Sequence, residues 1–96
     1  MIVLVTYDVC TEDAAGRRRL RRVAGACLDY GQRVQWSVFE CVVGEKEFVL
    51  LRSRLMEEMD PEKDSIRLYF LDEAARKRTE HHGISKPVDL EGPLVV

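Results

Sequence analysis

A chain of 96 residues has room for one domain with one core. Its composition, 46% hydrophobic and 33% charged with no low-complexity tract, is that of a globular protein, and no apolar run approaches the roughly 20 residues of a membrane helix. The net charge of −2 excludes a uniformly basic coat, yet residues 1–36 carry six arginines against four acids, and five of the six lie in "RRRLRR" at residues 17–22. A patch so local suits an anion.

The chain begins with an apolar segment, residues 2–8, that reads as a strand. Its faces, Ile2, Leu4, Thr6, Asp8 and Val3, Val5, Tyr7, are both apolar until the end, which marks a central strand. With no basic residue before it and no small-residue cleavage site after it, a signal peptide is not expected. "CTEDAAG" then offers Thr11 or Asp13 as a helix N-cap. The spacing of Leu20, Val23, Ala24, Cys27 and Leu28 predicts a helix from about Asp13 to Asp29, with Gly31 as a left-handed cap.

"QRVQWSVFECVV", residues 32–43, is strand-like but long, and Gln35-Trp36-Ser37 is the place for it to break in two. A second helix is predicted from about Glu45 to Met59, with Phe48, Leu51, Leu55 and Met59 on one face and Asp60-Pro61 as its stop. "SIRLYFL", residues 65–71, is a further strand. "DEAARKRTEHHGISKP" reads as part helix, part loop, and residues 88–96 as a last short strand. Cys10, Cys27 and Cys41 form no CxxC pair, which predicts reduced thiols, a cytoplasmic location, and neither a disulfide nor a zinc site.

Strand, helix, strand, strand, helix, strand is the order of an α+β, ferredoxin-like split βαβ sandwich (βαββαβ), here with a C-terminal extra strand. The domain is expected over residues 1–72. Residues 73–96 are expected to be a linker and a strand that pairs with a partner protomer's sheet. Two helices cover only one sheet face, and the other is too apolar to leave in water. A homodimer packed sheet to sheet about a two-fold axis would cover it. Asp8 near such an axis would meet its twin. Two carboxylates that close repel unless a proton or a cation lies between them, and magnesium, or manganese in its place, is suited to carboxylate and phosphate oxygens. One shared ion then needs one Asp per chain.

"VTYDV", the arginine-rich first helix, "YGQRVQWSVFEC" and "DSIRLYFL" resemble the small CRISPR-associated adaptation protein family, a ferredoxin-like homodimer that works with the spacer integrase. The resemblance spans Met1 to about Leu71, and "RVQWSVFE" at its distance from "YD" is the most specific part. It implies a metal-dependent endonuclease, of endoribonuclease type, acting on RNA or DNA. It also implies a dimer that bridges two integrase dimers on protospacer duplex DNA. On this resemblance Tyr7 and Asp8 are the catalytic candidates and Asp8 is the magnesium ligand, while the residues alone favour Tyr7 as half-buried packing with a solvated hydroxyl. Arg17, Arg18, Arg19, Arg21, Arg22 and Arg33 are the candidate nucleic-acid contacts, with Arg17, Arg18, Arg19 and Arg21 competing for the same family positions and Arg33 equally suited to pair with an acid of its own chain. Phe39, Leu94 and Val95 fall at the dimer interface. Duplex DNA and single-stranded RNA are the implied ligands, and no membrane is. No histidine lies near Asp8 in sequence, so the expected nucleophile is a metal-activated water.

Each assignment has a plainer alternative. Asp8 could cap the following loop, and a run of charges is commonly a solvated helix face. Five arginines with no acid among them favour bidentate phosphate contact instead. His81 and His82 are adjacent and point apart, so they are not expected to chelate. A non-catalytic scaffold keeps the dimer and drops the chemistry. A small-molecule regulatory domain is also possible on this fold, but the sequence has no Gly-rich phosphate cradle.

Overall fold

The computed structural model describes residues 1–84. Strand β1 (Ile2–Asp8), apolar on both faces, takes the centre of a sheet, antiparallel to β3 (Val38–Val42) on one side and to β4 (Ser65–Leu71) on the other. β2 (Gly31–Gln35) pairs with β3 as a hairpin turning at Trp36-Ser37, where the sequence predicts the break. The strand order β2-β3-β1-β4 is the ferredoxin-like arrangement.

Ladder pairing sorts the side chains. Val3 faces Cys41 and Phe70, and Val5 faces Phe39 and Leu68, so these share a face with Tyr7. Helices α1 (Ala14–Tyr30) and α2 (Glu45–Glu58) close over that face, adding Val23, Ala24 and Cys27 from the first and Phe48, Leu51 and Leu55 from the second. Leu51 and Leu55 are wholly buried, and each such burial stabilises the fold by roughly 2 kcal/mol. Cys27 and Cys41 are free thiols in this core. Burial pushes Cys41 up to about 11, and burial together with the neighbouring Cys41 pushes Cys27 up to about 12, so neither is a nucleophile at neutral pH.

α1 starts at Asp13, one of the two caps the sequence offered; its carboxylate accepts from Gly16 N at 2.7 Å. That bond holds Asp13 below the usual carboxylate range. Gly16 is needed because a Cβ there would strike the Cys10 carbonyl, which lets the helix sit against the loop leaving β1. Gly31 departs from expectation. With φ −160° it is extended rather than left-handed and opens β2 directly. A side chain there would collide with Cys41 of β3, so close strand approach is the reason for glycine.

The opposite sheet face carries Ile2, Leu4, Thr6 and Asp8 of β1, Val38, Glu40 and Val42 of β3, and Arg67, Tyr69 and Leu71 of β4. A short helix α3 (Glu73–Lys77), capped by Asp72, follows β4. Its Arg76 reaches Glu40 at 3.8 Å, and β1 lies between β4 and β3, so α3 folds back across the open face. At that end Ile2 is only 6% exposed, whereas the Asp8 end is uncovered by any described residue. The predicted last strand, with Leu94 and Val95, lies outside the described residues.

Candidate functional site

Asp8 ends β1 on the open face, exposed, and no described residue bonds its carboxylate. The cap reading of Asp8 therefore has no hydrogen bond to support it among those residues. The carboxylate is a hard oxygen donor of the kind magnesium takes. Among the described residues, no group of three His, Cys, Asp or Glu side chains is arranged to hold an ion. One chain thus offers one ligand, and a second copy is required for a pair.

Tyr7 does not join it. Successive strand residues face opposite ways, and Tyr7 lies on the helix-covered face, 7% exposed, its ring stacked on Phe39 at 6.1 Å. Burial raises its pKa, and the Arg33 guanidinium alongside offsets part of that rise. A buried tyrosine on the far side of the sheet cannot act with Asp8, so the catalytic assignment of Tyr7 is corrected to core packing. Phe39 is corrected in the same way: it faces Val5, is wholly buried under the helices, and has nothing left to offer a dimer interface.

The six arginines separate by environment. Arg33 shares a rung with Phe39, because a bulge between Arg33 and Gln35 keeps it on the helix side. Its guanidinium lies 4.9 Å from the Phe39 ring centroid and 5.2 Å from that of Trp36, and its buried Nε has no hydrogen-bond partner among the described residues. It is a core cation, not a phosphate contact. Arg19 is the other correction. It stands one turn after Gly16, at the edge of the buried stripe, and its Nε donates to Asp64 at 2.8 Å. By contrast Arg17, Arg18, Arg21 and Arg22 are exposed. Among the described residues the Arg17 guanidinium donates only to the Thr11 carbonyl, at 3.4 Å, and Arg22 loosely meets Glu58 at 3.7 Å. Arg18 and Arg21 have no partner among the described residues.

Asp64, which sequence reading passed over, ties these parts together. Its side chain is wholly buried. It accepts from Cys10 N at 3.1 Å, from Asp60 N at 2.8 Å and from Arg19. The loop after Asp8, the start of α1 and the turn before β4 therefore hang on one carboxylate. Burial opposes its ionisation, but Arg19 and the two backbone N–H groups outweigh that and hold its pKa below the ordinary 3.8. We expect Asp64→Asn to cost about 2 kcal/mol in urea unfolding at neutral pH. The folded-state value is depressed, so the stabilisation is complete above 3.8 and disappears as pH falls through the folded value. The gap between wild type and variant should stay flat down to about pH 5 and close below about pH 4.

Arg67 is the second residue missed. Asp8 pairs with Ser65 and Thr6 with Arg67, so Arg67 stands two rungs from Asp8 as its diagonal neighbour on the same face. A diagonal pair of this kind is about 7 Å apart between Cα atoms. The alternation in "SIRLYFL" was legible, but which of its residues share a face with Asp8 follows only from the β1–β4 register.

An antiparallel four-stranded sheet in this order, with both long helices on one face and a lone carboxylate at the end of the central strand, defines a ferredoxin-like α+β domain. The family model "CRISPR associated protein Cas2" matches residues 1–79, and the chain belongs to the Cas2 family. It is 59% identical over 96 residues to a CRISPR-associated endoribonuclease Cas2 of Chlorobaculum tepidum, covering 100% of both chains. It is 48% identical over 95 residues to a CRISPR-associated endonuclease Cas2 of Halalkalibacterium halodurans, covering 99% of each. A crystal structure of Streptococcus pyogenes Cas2 superimposes with a TM-score of 0.79 at 57% identity, over 86% of this chain and 100% of that one. No helix among the described residues is long and apolar enough to cross a membrane.

Proposed function

We propose that the chain is a metal-dependent endonuclease of CRISPR adaptation, working as a homodimer on RNA or duplex DNA beside the spacer integrase. The exposed, unpartnered Asp8 at the end of the central strand carries this conclusion. The names borne by the relatives, endoribonuclease and endonuclease, agree with it.

Two copies packed open face to open face would bury Leu4, Val38, Tyr69 and Val42, of which the last is 62% exposed in one chain. The two Asp8 carboxylates would then be the ligands of one magnesium or manganese ion. When bound, that ion supplies charge stabilisation for phosphoryl oxygens. The chain's own residues do the rest. Arg17, Arg18, Arg21 and Arg22 bind and orient the phosphate backbone, and the Asp64 clamp fixes the loop beyond Asp8 against the basic helix. The test is cleavage of labelled RNA and duplex by the purified dimer. Activity should vanish in chelator and return with magnesium or manganese; chelator-resistant cleavage would overturn the assignment.

A scaffold without chemistry is favoured by one observation, the absence among the described residues of any three-ligand metal cluster. It predicts that spacer acquisition in cells is unchanged by Asp8→Asn.

A further inference from the structure

We propose that Arg67 grips the phosphodiester beside Asp8, making the Asp8 end of the open sheet face a two-part phosphate site. This rests on Asp8 being the metal ligand. The β1–β4 register sets Arg67 and Asp8 two rungs apart, as diagonal neighbours on one face. Both side chains are exposed, and neither forms an ion pair with a described residue. Opposite charges this close would ordinarily pair. Here the guanidinium is drawn the other way along β4, 5.1 Å from the ring centroid of Tyr69. Asp8 is left free for a cation and Arg67 for an anion.

One ligand class satisfies both halves: a phosphodiester with its counter-cation. A divalent ion held by Asp8 would supply charge neutralisation for the phosphate, and the planar guanidinium of Arg67 would donate to its oxygens. The arginines of α1 cannot do this. They stand on the helix layer, and Asp8 on the opposite face of the sheet. Among the described strand residues of the open face Arg67 is the only arginine, and Arg76 of α3 is engaged with Glu40 and Glu73. An exposed arginine swings between such positions on the ps–ns timescale, so the stack on Tyr69 is no barrier.

The test compares wild type, Arg67→Ala, Arg67→Lys and Asp8→Asn, each first shown to be folded and dimeric. One readout needs no metal: anisotropy of a fluorescein-labelled DNA duplex in chelator across a salt series. Arg67→Ala should weaken binding about tenfold and reduce the log–log salt slope by about 2 per dimer, one phosphate per subunit. The second readout is cleavage in magnesium, where Arg67→Ala should lower kcat/KM by roughly 30-fold and Arg67→Lys should recover part of the loss. If Asp8→Asn abolishes cleavage while Arg67→Ala keeps wild-type binding and rate, Arg67 is not a phosphate ligand. If Arg67→Ala and Arg67→Lys are both monomeric, Arg67 is an interface residue and the proposal is overturned. Undiminished cleavage by Asp8→Asn would instead overturn the metal reading of Asp8, and the chelator measurement alone would then decide Arg67.

Discussion

Asp8→Asn should abolish magnesium-dependent cleavage, lowering kcat/KM by at least about 10³-fold, roughly 4 kcal/mol of barrier. The amide matches the carboxylate in size, and the Asp8 side chain holds no described residue in place, so the fold has nothing to lose. What changes is the charge. A neutral oxygen is a poor ligand for a hydrated divalent ion, and no ready-made group of three ligands stands among the described residues to take its place. Duplex affinity in chelator should hold within about twofold, because the helix arginines proposed to supply it are untouched. In the proposed dimer the change would also remove a like-charge pair, so metal-free dimer stability should stay equal or rise. A variant that cleaves at the wild-type rate would leave only the scaffold. A variant that loses duplex binding and cleavage together would mean that Asp8 positions the chain rather than a metal.

The fold was legible because β1, the β2–β3 hairpin and the two amphipathic helices each announce themselves by period. Two-sided apolarity put β1 at the centre, and the topology followed. The site was legible only in part. Asp8 on the open face follows from alternation along β1. The same alternation puts Tyr7 on the other face, so pairing the two as catalytic partners overrode a physical signal with a resemblance. Arg19 and Arg33 failed for another reason. Charge in a sequence does not say whether a guanidinium is solvated. Arg19 is claimed by an acid 45 residues away, and Arg33 by a bulge that turns it inward over Phe39. Neither partner has a local signature. Arg67 and Asp64 share the difficulty in reverse, since their importance lies in register and tertiary contact.

That sorting of the arginines gives the second large effect. Replacing Arg18 and Arg21 together with Ala should cut duplex affinity by roughly 10²-fold or more at physiological salt and leave stability near wild type. Both are exposed, neither has a described partner, and alanine is at least as good a helix former, so α1 should remain intact. If Arg17, Arg18, Arg21 and Arg22 of both subunits each meet a phosphate, raising salt from about 50 to 200 mM weakens wild-type binding by about 10⁴-fold. Removing half of those contacts should reduce that response to about 10²-fold. Arg19→Ala should behave oppositely, unfolding at lower urea with an unchanged salt slope in whatever remains folded, because its charge is spent on Asp64. Should the double variant keep its slope while Arg19→Ala flattens it, the basic helix is not the nucleic-acid surface and the Asp64 clamp has been misread.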